Sequence, residues 1–299
     1  MGASKTEIDA ETETLGLIGN PVDHSLSPPL HNWLIERLDW NYAYLAFRVE
    51  GGRVEEALRG ARALGFAGLN VTIPHKEAAA RAVDELSEAS RATGAVNTVI
   101  FSEGKLRGHT TDPEGFLSSL KLRGFRPRGK KALLFGAGGA AAAVAYGLLR
   151  AGVSRLIVCN RTLERAEKLV ERLEKRSSGI ELEAVGLEEG QVGRLVRDSR
   201  LVINATPLGM GADRGKAVWG EVDDFGSDQL VYDLVYNPRR TEFLKLAERG
   251  GAEIVGGLDM LILQGVESLG LWTGREIEAE RYLPELRSLL RGLLEEGES

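Results

Sequence analysis

Lys131-Ala132-Leu133-Leu134-Phe135-Gly136-Ala137-Gly138-Gly139-Ala140-Ala141 decides how the second half of this 299-residue chain folds. Lys131–Phe135 has the apolar run of a buried strand, and Gly139–Ala151 is an alanine-rich helix closed by Gly152. Between them lies GxGxxA. Gly136 permits a tight turn, Gly138 lets the backbone approach a pyrophosphate, and small Ala141 lets the helix pack on the strand. Ala137, Gly139 and Ala140 complete the loop, and the helix N-terminus offers free N–H groups to phosphate oxygens. A strand on one side and a helix on the other make this a dinucleotide site rather than a chance glycine run.

Working outward, Arg155–Cys159 is the second strand. An NAD site places Asp or Glu near its end to hold the ribose 2′-hydroxyl. Here the strand ends in Asn160-Arg161-Thr162, with Arg165 one turn on. Two guanidiniums suit a 2′-phosphate, so the pattern favours NADP (as NADPH). The plainer alternative makes Arg161 and Arg165 a solvated face and Asn160 or Thr162 a helix cap. Further strands at Arg200–Asn204, Leu230–Leu234 and Ala252–Val255, with helices at Leu163–Arg176 and Glu242–Arg249, give the βαβ alternation of a doubly wound α/β fold. This Rossmann-type dinucleotide-binding domain is expected over residues 119–257.

Residues 15–118 alternate as well. Strands are expected at Leu15–Gly19, Tyr42–Phe47 and Phe66–Val71. Helices are expected at Pro28–Leu38, Val54–Leu64 and Lys76–Val83. Val96–Phe101 and Lys105–Gly108 form a hairpin placed at the sheet edge. Leu258–Leu294 is helical and could extend either domain. Residues 1–14 are polar and acidic and are expected to be a disordered extension, as is the tail Glu295–Ser299.

Composition narrows the function. The 38 basic and 44 acidic residues give a net charge of −6, which argues against nucleic acid or an anionic membrane as main partner. No apolar run reaches the length of a membrane span. One cysteine, Cys159, excludes an internal disulfide and suits a reducing cytoplasm. The four histidines lack metal-ligand spacing, so no metal is expected. Cys159 and the four tryptophans are read as packing residues.

Four polar clusters fall at expected strand ends of the first half, where open α/β sheets bind ligands. In His24-Ser25-Leu26-Ser27-Pro28, Ser25 and Ser27 point the same way in extended chain and could donate to a carboxylate, or Ser27 could simply cap the next helix. In Asn70-Val71-Thr72-Ile73-Pro74-His75-Lys76, a lysine at a helix start meets the unfavourable end of the dipole, which hints at function for Lys76. Gly94–Thr98 contains Asn97. Asp112-Pro113, after Thr110-Thr111, is an ordinary cap-and-proline start.

Together these motifs resemble the shikimate dehydrogenase family. Gly19–Pro28 is similar to its opening signature, Asn70–Lys76 to its catalytic lysine motif, and Gly136–Ala141, Asn160–Thr162 and Asn204–Met210 to its cofactor domain. Tyr232–Pro238 with Thr241, and Gly257–Gln264, also match, all in the family's order. The resemblance implies NADPH-dependent reduction of 3-dehydroshikimate to shikimate. It implies Lys76 and Asp112 as the catalytic pair. Ser25 and Ser27 would hold the substrate carboxylate; Thr72, Asn97 and Gln264 would hold ring hydroxyls, with Tyr236 nearby. Thr206, Met210 and Gly257 join the cofactor residues, and the last helices (residues 258–299) return to the substrate domain. Thr110 departs from the family, which usually has Asn there, and puts the surroundings of Asp112 in question. A quinate dehydrogenase and a catalytically dead sensor of the same fold are the rivals; the sensor predicts loss of Lys76 or Asp112, and both are present. A homodimer is the expected assembly.

Overall fold

The computed structural model describes residues 8–177, 179–188 and 190–296. The chain divides into two compact units. One comprises the residues up to Asp112 with those from Ile262 onward, and the other is Pro113–Leu261.

The first unit opens with β1 (Glu13–Gly19), α1 (Ser27–Arg37), β2 (Tyr42–Arg48), α2 (Val54–Ala63) and β3 (Gly68–Val71). It continues through α3 (Lys76–Ala82), β4 (Glu85–Leu86), α4 (Glu88–Thr93), β5 (Thr98–Ser102) and β6 (Lys105–His109). The local causes are plain. Val54, Leu58 and Ala61 make one buried stripe on α2, and Glu55 and Glu56 sit at its favourable end. Ser87 caps α4 by accepting the Ser90 N–H, and Gly94 ends that helix in the left-handed region that glycine tolerates.

The sheet order is β2-β1-β3-β5-β6-β4. The β1 pairs are parallel, whereas β3–β5 and β5–β6 are antiparallel. The hairpin expected at the edge therefore lies inside the sheet. The two-residue strand β4 pairs parallel with β6 and takes the edge. So short a strand carries no periodicity for the sequence to show.

The second unit contains α5 (Asp112–Leu122) from Pro113 on, then β7 (Lys131–Phe135), α6 (Gly139–Ala151), β8 (Arg155–Asn160), α7 (Leu163–Glu174), β9 (Glu181–Gly186) and α8 (Val192–Asp198). After these come β10 (Leu201–Asn204), β11 (Leu230–Asp233), α9 (Glu242–Arg249) and β12 (Glu253–Gly256). The order β12-β11-β10-β7-β8-β9 is wholly parallel, the doubly wound order. Strand β9 was not among the expected strands. It is an edge strand, Glu-Leu-Glu-Ala-Val-Gly, mostly half-exposed, and its glutamates hide it from a reading tuned to buried parallel strands.

Two helices close the chain, α10 (Leu258–Thr273) and α11 (Ala279–Glu296). From Ile262 onward they belong to the first unit. The indole N–H of Trp272 on α10 donates to Val99 O of β5 at 3.0 Å.

Two expectations at the termini change. Residues 1–7 of the expected extension lie outside the described residues. Beyond them the chain is ordered: Thr12 donates to the Asn41 side chain at 2.7 Å, Asn41 donates to Asp9, and β1 begins at Glu13. Polar side chains satisfying one another fix a stretch that composition alone marks as loose. At the other end α11 runs through Glu296, with Leu283, Leu286, Leu290 and Leu294 as its buried stripe; residues 297–299 of the expected tail lie outside the described residues.

His31 of α1 gives this unit a pH dependence. It is fully buried, stacked on Tyr44 with ring centroids 4.2 Å apart. Neither ring nitrogen has a hydrogen-bond partner among the described residues. Burial pushes its pKa down from 6.5 to about 3, outweighing the opposite pull of the nearby Asn70 amide. Between those values the unfolded chain binds a proton that the folded one refuses. Stability therefore falls as pH drops from about 6.5 towards 3. A His31→Phe variant is expected to show a flatter fall of melting temperature across that window; an unchanged slope would remove His31 from the account.

Candidate functional site

In the first unit, β3 ends at Val71 and a short loop leads to Lys76, the first residue of α3. The loop is held from both sides. Thr72 N–H donates to Ile18 O, and buried His75 pairs through Nε2 with Val49 O at 2.7 Å. A Cβ on Gly19 would lie 2.3 Å from Thr72 Cγ2, so the glycine turn after β1 and the Thr72 loop are in contact.

Lys76 Nζ donates to Asp112 Oδ2 at 2.5 Å, with side-chain exposures of 18% and 6%. Asp112 is the first residue of α5, but it does not serve mainly as a cap. Its oxygens are taken by Lys76 and by Asn97, whose Nδ2 donates to Oδ1 at 2.9 Å. Asn97 Nδ2 also approaches Gln264 Oε1 at 3.1 Å and Thr111 Oγ1 at 2.9 Å. Four of the expected residues, Lys76, Asp112, Asn97 and Gln264, thus form one connected group. Thr110 is buried next to them in sequence.

Ser25 and Ser27 lie at the start of α1. Ser25 Oγ accepts the Ser27 N–H at 3.3 Å. Ser27 is not the cap that one sequence reading allowed: it is the first residue of the helix, Leu26 holds the N-cap position, and no side-chain cap bond forms. Ser27 is buried, with its hydroxyl against the Tyr44 phenol.

In the second unit, the glycine loop follows β7. Gly136 has φ +113°, open to glycine alone, and a Cβ there would meet Ala205 O at 3.1 Å. The loop after β10 therefore runs beside the glycine turn. A Cβ on Gly138 would touch nothing within 4 Å. Protein packing gives no reason for that glycine, whereas a ligand approaching the backbone does. Ala141 is fully buried, as close helix–strand packing requires. Gly139 opens α6, and Ala137 and Ala140 flank it.

At the end of β8, Asn160 Nδ2 donates to Thr162 O at 2.8 Å, Thr162 takes the N-cap position of α7 without a side-chain cap bond, and Arg161 and Arg165 are exposed. The loop after β10 is shaped from within: Thr206 N–H and Oγ1 both donate to Asn204 Oδ1, at 3.0 and 2.6 Å. Asn204 Nδ2 donates to Leu208 O and to Asp233 Oδ1. Buried Asp233 also accepts from Val235 N–H and Thr241 Oγ1. Burial still pushes its carboxyl up to about 7, against those three donors. Met210 is 42% exposed. Gly257 has a packing reason of its own, because a Cβ there would lie 2.0 Å from Leu234 O. Tyr236 is half-buried and belongs to this unit rather than to the Lys76 group.

The sequence reading missed Asn70, Thr98, Thr111 and Ser268, which surround Asn97, and the Asp233–Asn204–Thr241 set. Ser268 was within reach, since it follows Gln264 by four on one helix and so shares its face.

The parallel unit with its GxGxxA loop, and the lysine–carboxylate group on a mixed sheet, define a two-domain α/β dinucleotide-binding protein. The family model of the shikimate dehydrogenase substrate-binding domain matches residues 17–99, and that of shikimate/quinate 5-dehydrogenases matches residues 120–206. The chain belongs to the shikimate dehydrogenase family. It is 48% identical over 274 residues to the shikimate dehydrogenase (NADP(+)) of Methanopyrus kandleri, covering 91% of this chain and 94% of that one. Among solved structures, shikimate 5-dehydrogenase of Listeria monocytogenes, in complex with shikimate and NAD, superposes with a TM-score of 0.85 at 34% identity, covering 95% and 98% of the two chains. The Thermus thermophilus enzyme, in complex with NADP(H) and shikimate, gives 0.80 at 36% identity, covering 92% and 99%.

Proposed function

We propose that this protein catalyses the NADPH-dependent reduction of 3-dehydroshikimate to shikimate, a step towards chorismate and the aromatic amino acids. The observation that carries the reading is the Lys76–Asp112 pair, joined to Asn97 and Gln264. The first unit is the substrate-binding domain and the second the NADP-binding domain. The open backbone at Gly138 and the start of α6 fit a pyrophosphate, and exposed Arg161 and Arg165 fit a 2′-phosphate. Asn160 and Thr162 shape that turn. Thr206 and Gly257 belong with the cofactor residues, and Met210 lies near the nicotinamide.

When bound, the nicotinamide supplies a hydride to the C3 carbonyl carbon. Lys76 gives a proton from Nζ to the oxygen as it becomes an alkoxide, and its charge stabilises that oxygen beforehand. Asp112 accepts from Lys76 and fixes where Nζ points. In the reverse direction Lys76 takes the hydroxyl proton. Ser25 and Ser27 donate to the substrate carboxylate, and Thr72, Asn97 and Gln264 read the ring hydroxyls. The protein works as a homodimer in the cytoplasm, where the buried thiol of Cys159 stays reduced.

Initial rates with shikimate or quinate, each with NADP⁺ or NAD⁺, test the whole reading. Shikimate with NADP⁺ is expected to dominate. Fast quinate turnover would move the protein to the rival dehydrogenase, and no turnover with cofactor still bound would make it a sensor. Light scattering tests the dimer. A second expected result concerns the cofactor alone: Arg161→Ala weakens NADP⁺ binding roughly 10- to 100-fold, the worth of a charge-assisted hydrogen bond, and leaves NAD⁺ binding nearly unchanged. Equal losses for both cofactors, by calorimetry, would show that Arg161 does not read the 2′-phosphate.

A further inference from the structure

A buried hydrogen-bond chain reaches Asp112 at Oδ1, the carboxylate oxygen that Lys76 leaves free. The Tyr44 hydroxyl donates to Asn70 Oδ1 at 2.8 Å. Asn70 Nδ2 donates to Ser268 Oγ at 3.1 Å and to Asn97 O at 3.0 Å. Ser268 Oγ and Thr98 Oγ1 are 2.8 Å apart, and Thr98 Oγ1 donates to Asn97 Oδ1 at 2.8 Å. Asn97 Nδ2 then donates to Asp112 Oδ1 at 2.9 Å. Tyr44, Thr98 and Ser268 are fully buried.

The proton directions follow from chemistry. Asn97 Oδ1 carries no hydrogen, so the Thr98 hydroxyl must spend its proton there. Thr98 can then only accept, from Ser268 or from Asn70 Nδ2 at 3.3 Å, while Ser268 also has Gln264 O to donate to at 3.0 Å. Asn70 has its Oδ1 filled by Tyr44, so its amide hydrogens go forward. The Thr98 hydroxyl and the Asn97 amide thus point in turn towards the carboxylate, an arrangement in which each bond polarises the next.

Asn97 is the decisive joint. Turned over, its amide would set an oxygen against the Asp112 carboxylate at hydrogen-bond distance. Two donors hold Oδ1 away: the Thr111 N–H at 2.9 Å and the Thr98 hydroxyl. The first is backbone and the second is a side chain that substitution can remove. We propose that Thr98 is a positioning residue, which acts through Asn97 to aim the Asp112 carboxylate at Lys76. The inference rests on the catalytic pair proposed above.

Thr98→Val keeps the shape and removes the hydroxyl; Thr98→Ser keeps the hydroxyl. The valine variant is expected to lose roughly 5- to 30-fold in kcat for shikimate oxidation, from one lost buried hydrogen bond. Its KM for NADP⁺ is expected to stay within about twofold and the serine variant to retain wild-type kcat to about the same margin. If Thr98 acts through Asp112, adding Thr98→Val to Asp112→Asn changes kcat by less than about twofold, because coupled residues are not additive. Equal losses in the valine and serine variants, or a full valine penalty in the Asp112→Asn background, would overturn the proposal. Should the wild-type protein turn over neither shikimate nor quinate, the reading of the function fails instead. The same double-mutant cycle run on thermal unfolding then decides the network: coupling between positions 98 and 112 supports it, and additivity sinks it.

Discussion

Lys76→Ala is expected to lower kcat for shikimate oxidation by roughly 10²–10⁴-fold, the usual worth of a positioned acid–base group, while shikimate still binds measurably. The ammonium lies 2.5 Å from Asp112 and is the only cation recorded as paired with that carboxylate among the described residues. On the proposed mechanism, removing it takes away both the proton donor and the charge facing the forming alkoxide. It also strands a carboxylate that is 6% exposed, and an uncompensated buried charge is costly. Some loss of thermal stability should therefore accompany the loss of rate. The two are separable. Asp112→Asn removes the stranded charge, so Lys76→Ala combined with Asp112→Asn should recover much of the stability and none of the rate. Turnover near wild type in Lys76→Ala would refute the assignment of Lys76 outright.

How much of this was legible differs between the two units. The parallel unit could be read from the glycine loop outward, because its central strands are apolar runs set between glycine turns. What escaped was its polar edge strand β9, whose glutamates belong at an edge. In the first unit Lys76, Asn97 and Asp112 each stood inside a motif, yet what joins them was not local. Asp112 followed by proline looks like a cap and only the fold turns its carboxylate to Lys76, 36 positions away. Asn97 is similar. Its neighbours Asn70 and Ser268 come from β3 and α10, and no spacing in the sequence connects them. Neutral buried polar side chains carry no periodicity, so a network of them becomes visible only when partners are counted.

Trp272→Ala is expected to destabilise the first unit by about 3–5 kcal/mol, the range for truncating a buried aromatic. Gln264, Ser268 and Trp272 are spaced by four on α10 and so share one face. Gln264 reaches Asn97, Ser268 joins Thr98, and Trp272 presses on the middle of the sheet. The fit there is close: a Cβ on Gly68 of β3 would stand 2.0 Å from Trp272 Cδ1, so the strand carries glycine to admit the indole. The ring also lies against His31 and Tyr44, with centroids at 5.5 and 6.1 Å. Truncation would empty that space and remove the donor to Val99 O. Trp272→Phe keeps most of the ring and loses mainly that bond, so it should cost only about 1 kcal/mol. Because this contact seats the helix that carries Gln264, the alanine variant should also raise KM for shikimate. NADP⁺ affinity should stay as it was, since the glycine loop belongs to the other unit. Urea unfolding with parallel titrations of each ligand reads both effects. A variant as stable as the wild type would show that α10 is held by something other than Trp272. An equal loss of both ligands would mean that the damage spreads beyond the unit the tryptophan anchors.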